Sequence, residues 1–165
     1  ELVLPQAMPE NVDVRVIHLV RDVRSWLHSR LKAARQSSQP LPGLRTLLRW
    51  WYVNRKFDRA LQRCGRPVFR LGYEELALQP ERSLRLLCDW LDLPFTDQML
   101  APSAHSTSHL LSGNRMRFDQ DRSRSIRYDA AWMASREWLI PASLLIPGVA
   151  ALNRRLVYSN KLVDG

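Results

Sequence analysis

The 165-residue sequence has few glycines, few cysteines and no long apolar run. Its 6 glycines are isolated, and none belongs to a G-x-x-x-x-G-K-[ST] loop of the kind that holds phosphates. The 2 cysteines, Cys64 and Cys88, lie in apolar helical contexts, so we expect buried free thiols. These absences exclude a glycine-rich phosphate loop and a cysteine-based zinc site within this sequence.

The most apolar stretch runs from Trp138 to Leu152, but Pro141, Pro147 and Gly148 interrupt it. A membrane-spanning helix needs roughly 20 apolar residues. This stretch therefore predicts a broken helix packed on the body of the protein, or a lid. The sequence starts at Glu1 with neither an initiator methionine nor a signal peptide. We therefore expect the chain to be part of a longer protein.

Acidic residues are in the minority, with 16 Asp and Glu against 25 Lys and Arg, so the net charge is +9. Nearly all the basic residues are arginine, which suits bidentate binding of phosphate and sulfate. A bias in genome composition would give the same excess of arginine. The charge predicts an anionic partner: a nucleotide, an acidic or sulfated substrate, or nucleic acid.

Strands and helices alternate along the first part of the chain, which predicts an α/β fold with a parallel sheet. Ligands in such folds bind at the carboxyl ends of the strands. Arg21 and Tyr73 follow the two predicted strands. Strands are predicted over 14–20 and 67–71, and helices over 22–35, 44–63, 80–91 and from about 129. The residues expected to be buried on the second helix are Leu44, Leu47, Leu48, Trp51 and Phe57.

The first candidate site lies where the first strand ends. Arg21 closes that strand, and Asp22, Ser25 and Ser29 follow at helical spacing. A phosphate there would receive a bidentate guanidinium and a hydroxyl, close to the positive end of a helix. A solvated arginine and two solvated serines would give the same sequence, so these residues alone leave both interpretations open.

Residues 16–30 resemble the 3′-phosphate-binding motif of sulfotransferases that use 3′-phosphoadenosine 5′-phosphosulfate (PAPS). In that family a strand-end arginine and a serine eight residues later grip the 3′-phosphate of the donor. The resemblance therefore implies this role for Arg21 and Ser29. Val23 stands where the family often has proline. This difference takes away a residue that favours the start of a helix, but it takes away no residue that binds phosphate.

Two further stretches resemble the same family, in the same order. Residues 73–95 resemble the segment in which a tyrosine lies against adenine, which implies that role for Tyr73; a tyrosine after a strand can equally belong to the core. Residues 109–118 resemble the Gly-Asn element of prokaryote-type sulfotransferases, or else form a solvated basic loop. The residues of this element expected over the 3′-phosphate and adenine are Gly113, Asn114, Arg115 and Arg117.

The resemblance implies a three-layer parallel-sheet fold related to the P-loop NTPases and truncated at its N-terminus. One partial domain would span 1–165, with 1–135 matching the family and 136–165 forming a C-terminal helical extension. The reaction implied is transfer of a sulfuryl group from PAPS to an acceptor hydroxyl or amine, which leaves adenosine 3′,5′-bisphosphate and needs no metal. The family's 5′-phosphosulfate loop and catalytic base are expected upstream of Glu1, so the chain alone is expected to be inactive.

Other readings of the sequence stay open. The chain could be a non-catalytic nucleotide- or partner-binding module, or a basic nucleic-acid-binding protein whose affinity falls steeply with salt. For a sulfotransferase we expect no nucleic-acid partner and no transmembrane segment, and a cytoplasmic location, with the Golgi lumen as the alternative. Carbohydrate, lipid, phenol and peptide acceptors all remain possible.

Overall fold

The computed structural model describes residues 12–34, 42–100 and 128–158. Two strands and six α-helices make up most of this part of the chain. In order they are β1 (Val16–Val20), α1 (Val23–Ala34), α2 (Pro42–Arg63), β2 (Val68–Gly72), α3 (Tyr73–Leu78), α4 (Pro80–Leu91), α5 (Leu139–Ala142) and α6 (Pro147–Val157). Short 3₁₀ turns occupy Asp97–Met99, Ala131–Ala134 and Ser143–Leu145.

The two strands pair in parallel, with Val16 opposite Val68 and Val20 opposite Gly72. Their carboxyl ends therefore lie side by side. The crossover between them passes through α1 and α2, as parallel pairing requires. The predicted α/β fold with a parallel sheet is confirmed.

Successive strand residues point to opposite sides of a sheet. Helices pack on both sides here, but on the second face Ile17 and Leu19 of β1 stay 46% and 53% exposed. On one face His18 stacks on Phe57 of α2, and Val20 joins a core shared by α1, α2 and α6. On the other face Phe69 contacts Trp90 of α4. The first core contains side chains that are fully excluded from solvent, among them Leu27, Leu47, Ile140 and Leu156.

The buried face of α2 includes Leu47, as predicted, but it differs from the prediction at two other leucines. Leu44 and Leu48 are 45% and 55% exposed, whereas Trp50, which was not predicted to be buried, is only 2% exposed. The helix carries apolar residues on two neighbouring faces, so its sequence alone does not fix which face turns inward. The observed buried stripe follows Leu47, Trp50 and Leu61.

The C-terminal part is a broken helix packed on the body, as predicted. α5 and a 3₁₀ turn lead to Pro147, where α6 begins. Ile140 and Leu152 lie in the core beside α1 and α2. The helix expected from about residue 129 is instead the single 3₁₀ turn at Ala131–Ala134. No helix in the described ranges is long and apolar enough to cross a membrane.

Candidate functional site

Arg21 and Tyr73 lie together at the carboxyl edge of the sheet. Arg21 directly follows β1, and Tyr73 begins α3 immediately after β2. Since Val20 pairs with Gly72, the parallel register places these two residues next to each other. The Arg21 guanidinium carbon lies 5.4 Å from the centre of the Tyr73 ring, which is within the range of a cation–π contact.

Among the described residues, the Arg21 guanidinium has an anionic partner and also a buried donor that lacks one. Its Nη2 donates to the Asp129 carboxylate at 2.7 Å. Its Nε is buried and has no hydrogen-bond partner among the described residues. Partial burial opposes ionisation of Asp129, but hydrogen bonds from the Ala131 amide and from Arg21 keep the pKa of this carboxyl below its usual value. The backbone of Arg21 is also fixed, because the Trp50 indole N–H donates to its carbonyl at 3.2 Å.

Ser29 lies on α1 with its side chain exposed. The described contacts include no hydrogen bond between Ser29 and Arg21. Asp22 and Ser25, which the helical spacing grouped with Ser29, are each 1% exposed and face the protein interior. The three side chains therefore do not form one surface. The remaining predicted residues, Gly113, Asn114, Arg115 and Arg117, lie outside the described residues.

Asp22 is the centre of a buried hydrogen-bond network that fixes the turn after Arg21. Its carboxylate caps α1 by accepting from the Arg24 amide at 2.7 Å. The same carboxylate accepts from Arg24 Nη2 at 2.8 Å, from Asn153 Nδ2 at 3.0 Å and from the Tyr158 hydroxyl at 2.8 Å. Burial opposes ionisation of Asp22, but these donors keep its pKa below the usual value. Asn153 and Tyr158 belong to α6 and its end, so this helix is tied to the strand edge.

Glu74 connects the two turns that carry Arg21 and Tyr73. Its side chain is 1% exposed, and its Oε2 accepts from the Asp22 amide at 2.8 Å. Burial raises the pKa of this carboxyl, and the nearby Asp22 carboxylate raises it further. One buried carboxylate thus joins the end of β1 to the start of α3.

At Gly72 the end of α6 approaches the sheet very closely. A Cβ placed on Gly72 would lie 1.8 Å from the carbonyl oxygen of Val157, so the end of α6 occupies the space that a side chain would need. Glycine is required here for close approach of two backbones. The frame behind Arg21 and Tyr73 is therefore built from both strand ends and from α6.

These features define a parallel α/β protein with a guanidinium and an aromatic ring side by side at its strand edge. A fixed guanidinium beside an aromatic ring, at the carboxyl ends of adjacent strands, suits a ligand that has both a negative charge and a flat ring. The chain belongs to the sulfotransferase family, whose family model matches residues 10–97. That match contains the Arg21–Ser29 and Tyr73 motifs and ends before the Gly-Asn element.

One solved structure with a similar fold is a sulfotransferase domain from the curacin biosynthetic pathway. The alignment covers 88% of this chain and 54% of that domain, with 18% sequence identity and a TM-score of 0.53. This chain therefore spans about half the length of that domain, and the likeness at this identity concerns the fold. No curated protein gives a significant match to the chain.

Proposed function

We propose that this chain is the part of a PAPS-dependent sulfotransferase that binds the 3′-phosphate and adenine of the nucleotide. The observation that carries the proposal is the buried, unpartnered Nε of Arg21, in a guanidinium that stands beside the Tyr73 ring. A phosphate oxygen would satisfy that donor, since buried N–H groups are nearly always hydrogen-bonded. The position of both residues at the carboxyl edge of a parallel sheet supports the same assignment.

Each residue has a distinct role in this proposal. Arg21 binds the 3′-phosphate, Ser29 adds a hydroxyl from α1, and Tyr73 stacks on adenine. Gly113, Asn114, Arg115 and Arg117 close over the nucleotide. PAPS supplies the sulfuryl group, which passes to an acceptor hydroxyl or amine and leaves adenosine 3′,5′-bisphosphate. The residues named here hold the 3′ end of the donor, away from the sulfur, so bond cleavage depends on other groups of the whole enzyme.

Replacing Arg21 by alanine tests the proposal directly. We expect the affinity for adenosine 3′,5′-bisphosphate to fall about 10- to 100-fold, because a hydrogen bond to a charged group contributes about 1.5–3 kcal/mol. Affinity for 5′-AMP should change little, since that nucleotide lacks the 3′-phosphate. Isothermal titration calorimetry with both nucleotides measures the discrimination between them.

Arg85→Ala is the matched control, because Arg85 is an exposed arginine on α4 that pairs with Glu81 at 2.8 Å. This variant should bind adenosine 3′,5′-bisphosphate as the wild type does. If Arg21→Ala weakens both nucleotides equally, or neither, Arg21 does not read the 3′-phosphate and the assignment is wrong.

Asp129 should compete with the 3′-phosphate for Arg21. Its carboxylate already accepts from Arg21 Nη2 and is 45% exposed. Asp129→Asn removes this negative charge, so we expect adenosine 3′,5′-bisphosphate to bind up to about fivefold more tightly, the effect of a partly exposed ion pair. Calorimetry at low and moderate salt measures the gain, which should shrink as salt rises.

Asp97→Asn removes an exposed carboxylate in the turn after α4 and serves as the control. It should leave the affinity unchanged. A weaker affinity in Asp129→Asn would mean that Asp129 holds Arg21 in its binding position and does not compete with the ligand.

A further inference from the structure

A second basic region lies away from the strand edge, in a cleft between α2 and α6. The cleft has a volume of about 420 Å³. α2 contributes Trp51, Arg55, Arg59 and Gln62 to its walls, and α6 contributes Arg155. Guanidinium groups therefore form most of the charged surface of this cavity.

The one carboxylate in the cleft wall is already neutralised. Asp58 is 1% exposed, and it pairs with Arg70 at 3.1 Å and also with Arg155. Arg55 and Arg59 form no ion pair with a carboxylate in the described part of the chain. The cleft therefore carries an uncompensated positive charge, and an anionic ligand would neutralise it.

Two of the guanidinium groups are already held in place. Arg155 is fixed by Asp58, and the guanidinium of Arg55 lies 5.0 Å from the centre of the Trp51 ring. Ordered side chains lose less conformational entropy when they bind a ligand. Planar guanidinium groups match sulfate and carboxylate groups through paired hydrogen bonds.

The cleft continues across α2 into a second cavity of about 610 Å³. The two cavities share Trp51, Arg55 and Arg59, and the second one adds Tyr52 and Arg63. With a rise of 1.5 Å per residue, the helix from Trp51 to Arg63 is about 18 Å long. A ligand that fills both cavities must therefore be elongated and must carry several negative charges.

This groove begins near the strand edge. Trp50, the neighbour of Trp51, donates its indole N–H to the Arg21 carbonyl. From there α2 runs toward the opposite end of the sheet, with Phe57 beside His18 and Asp58 beside Arg70. A chain-like ligand in the groove would thus have one end close to the edge where the nucleotide is proposed to bind.

We propose that this groove binds an acidic carbohydrate chain, and that such a chain is the sulfuryl acceptor; the second part rests on the proposed function. Carbohydrates combine acceptor hydroxyls with repeated carboxylate or sulfate groups, and a sugar ring needs only one open aromatic face, which Tyr52 offers at 61% exposure. A neutral lipid or a simple phenol would leave the guanidinium groups of both cavities without an anionic partner. A single-stranded nucleic acid would need successive stacking rings, whereas the ring of Trp51 is already covered by Arg55. The groove residues are Trp51, Tyr52, Arg55, Arg59, Arg63 and Arg155.

The test uses a fluorescent heparin-derived octasaccharide and measures its binding by anisotropy. The groove variant Arg55→Glu/Arg59→Glu should lose at least about tenfold in affinity, because two charge-assisted contacts are removed. The control Arg45→Glu/Arg49→Glu changes the net charge equally on exposed positions of the same helix outside the groove. It should lose less than about threefold, the size of a screened surface effect. Neutral maltooctaose should not compete.

Equal losses of octasaccharide affinity in the two double variants would show that binding depends on net charge alone, and would refute the proposed binding site in the groove. So would tighter binding of an oligothymidylate of equal charge at the same residues, which would indicate nucleic acid. Arg59→Ala, an exposed single change, repeats the test without charge reversal if the double variant unfolds. Titration with adenosine 3′,5′-bisphosphate tests the nucleotide site separately. The groove variants should bind this nucleotide as the wild type does. If the wild type does not bind it, the proposed function is wrong, whereas the carbohydrate site is unaffected by that result.

Discussion

Replacing Gly72 by alanine is expected to lower the free energy of unfolding by about 3 kcal/mol or more, at or above the upper end of overpacking penalties. The new Cβ would lie 1.8 Å from the Val157 carbonyl oxygen, and that obstacle is backbone, which cannot rotate away as a side chain can. Gly72 has φ −80° and ψ 136°, a conformation that alanine adopts freely. The loss would therefore come from the collision and not from backbone strain. Urea denaturation followed by circular dichroism measures it.

Gly148→Ala provides the comparison within α6. A Cβ on Gly148 would meet only the Trp51 indole nitrogen at 3.4 Å, an ordinary contact. In a helix, alanine is favoured over glycine by about 1 kcal/mol, so this variant should be as stable as the wild type or more stable. A Gly72→Ala protein with wild-type stability would mean that α6 does not pack against the strand end.

Removing the Asp22 carboxylate should lower the free energy of unfolding by a similarly large amount. Asp22→Ala leaves the donors of Arg24, Asn153 and Tyr158 without their acceptor, and one of them is a partly buried cation. Breaking a buried ion pair from one side costs about 3–5 kcal/mol. We expect Asp22→Ala to unfold at much lower urea concentration and Asp22→Asn, which keeps one acceptor oxygen, to lie between this variant and the wild type.

The same residue should govern stability in acid. The pKa of Asp22 is lower in the folded state than in the unfolded chain, so the folded state binds fewer protons there. Its contribution is fully present above about pH 4 and is lost as the pH falls through the folded-state pKa. Burial raises the pKa of Glu74, so that residue acts in the opposite direction and favours the folded state at lower pH. Melting curves from pH 7 to pH 2 should show a steep acid decline for the wild type and a flatter one for Asp22→Asn. A parallel decline in both would assign the acid sensitivity to other carboxyls.

The sequence was informative wherever a local pattern dictated the structure. The periodicity of apolar residues predicted β1, α1, α2, β2 and α4 to within a few residues, because an element that is buried on one face has apolar residues at regular spacing. The rule that parallel strands share a carboxyl edge was enough to place Arg21 beside Tyr73. α3 was missed, since its six residues directly follow β2 and are too short to show a helical period.

Contacts between residues far apart in the sequence could not be predicted from such local patterns. Nothing around Asn153 or Tyr158 indicates that their side chains reach Asp22, 131 and 136 residues away. Helical spacing grouped Asp22, Ser25 and Ser29, but α6 and Glu74 cover the first two and leave only Ser29 at the surface. No role was predicted for Asp129, because its pairing with Arg21 depends on a chain path that periodicity does not encode.

The contact between Tyr158 and Asp22 has a consequence for biosynthesis. Chains are made from the N-terminus, and domains begin to fold as they leave the ribosome. β1, β2 and the helices between them leave the ribosome well before α6. Until α6 is made, Asp22 behind Arg21 lacks its hydrogen bonds from Asn153 and Tyr158. The edge that carries Arg21 and Tyr73 should therefore reach its final geometry late in synthesis, once α6 has docked against Asp22.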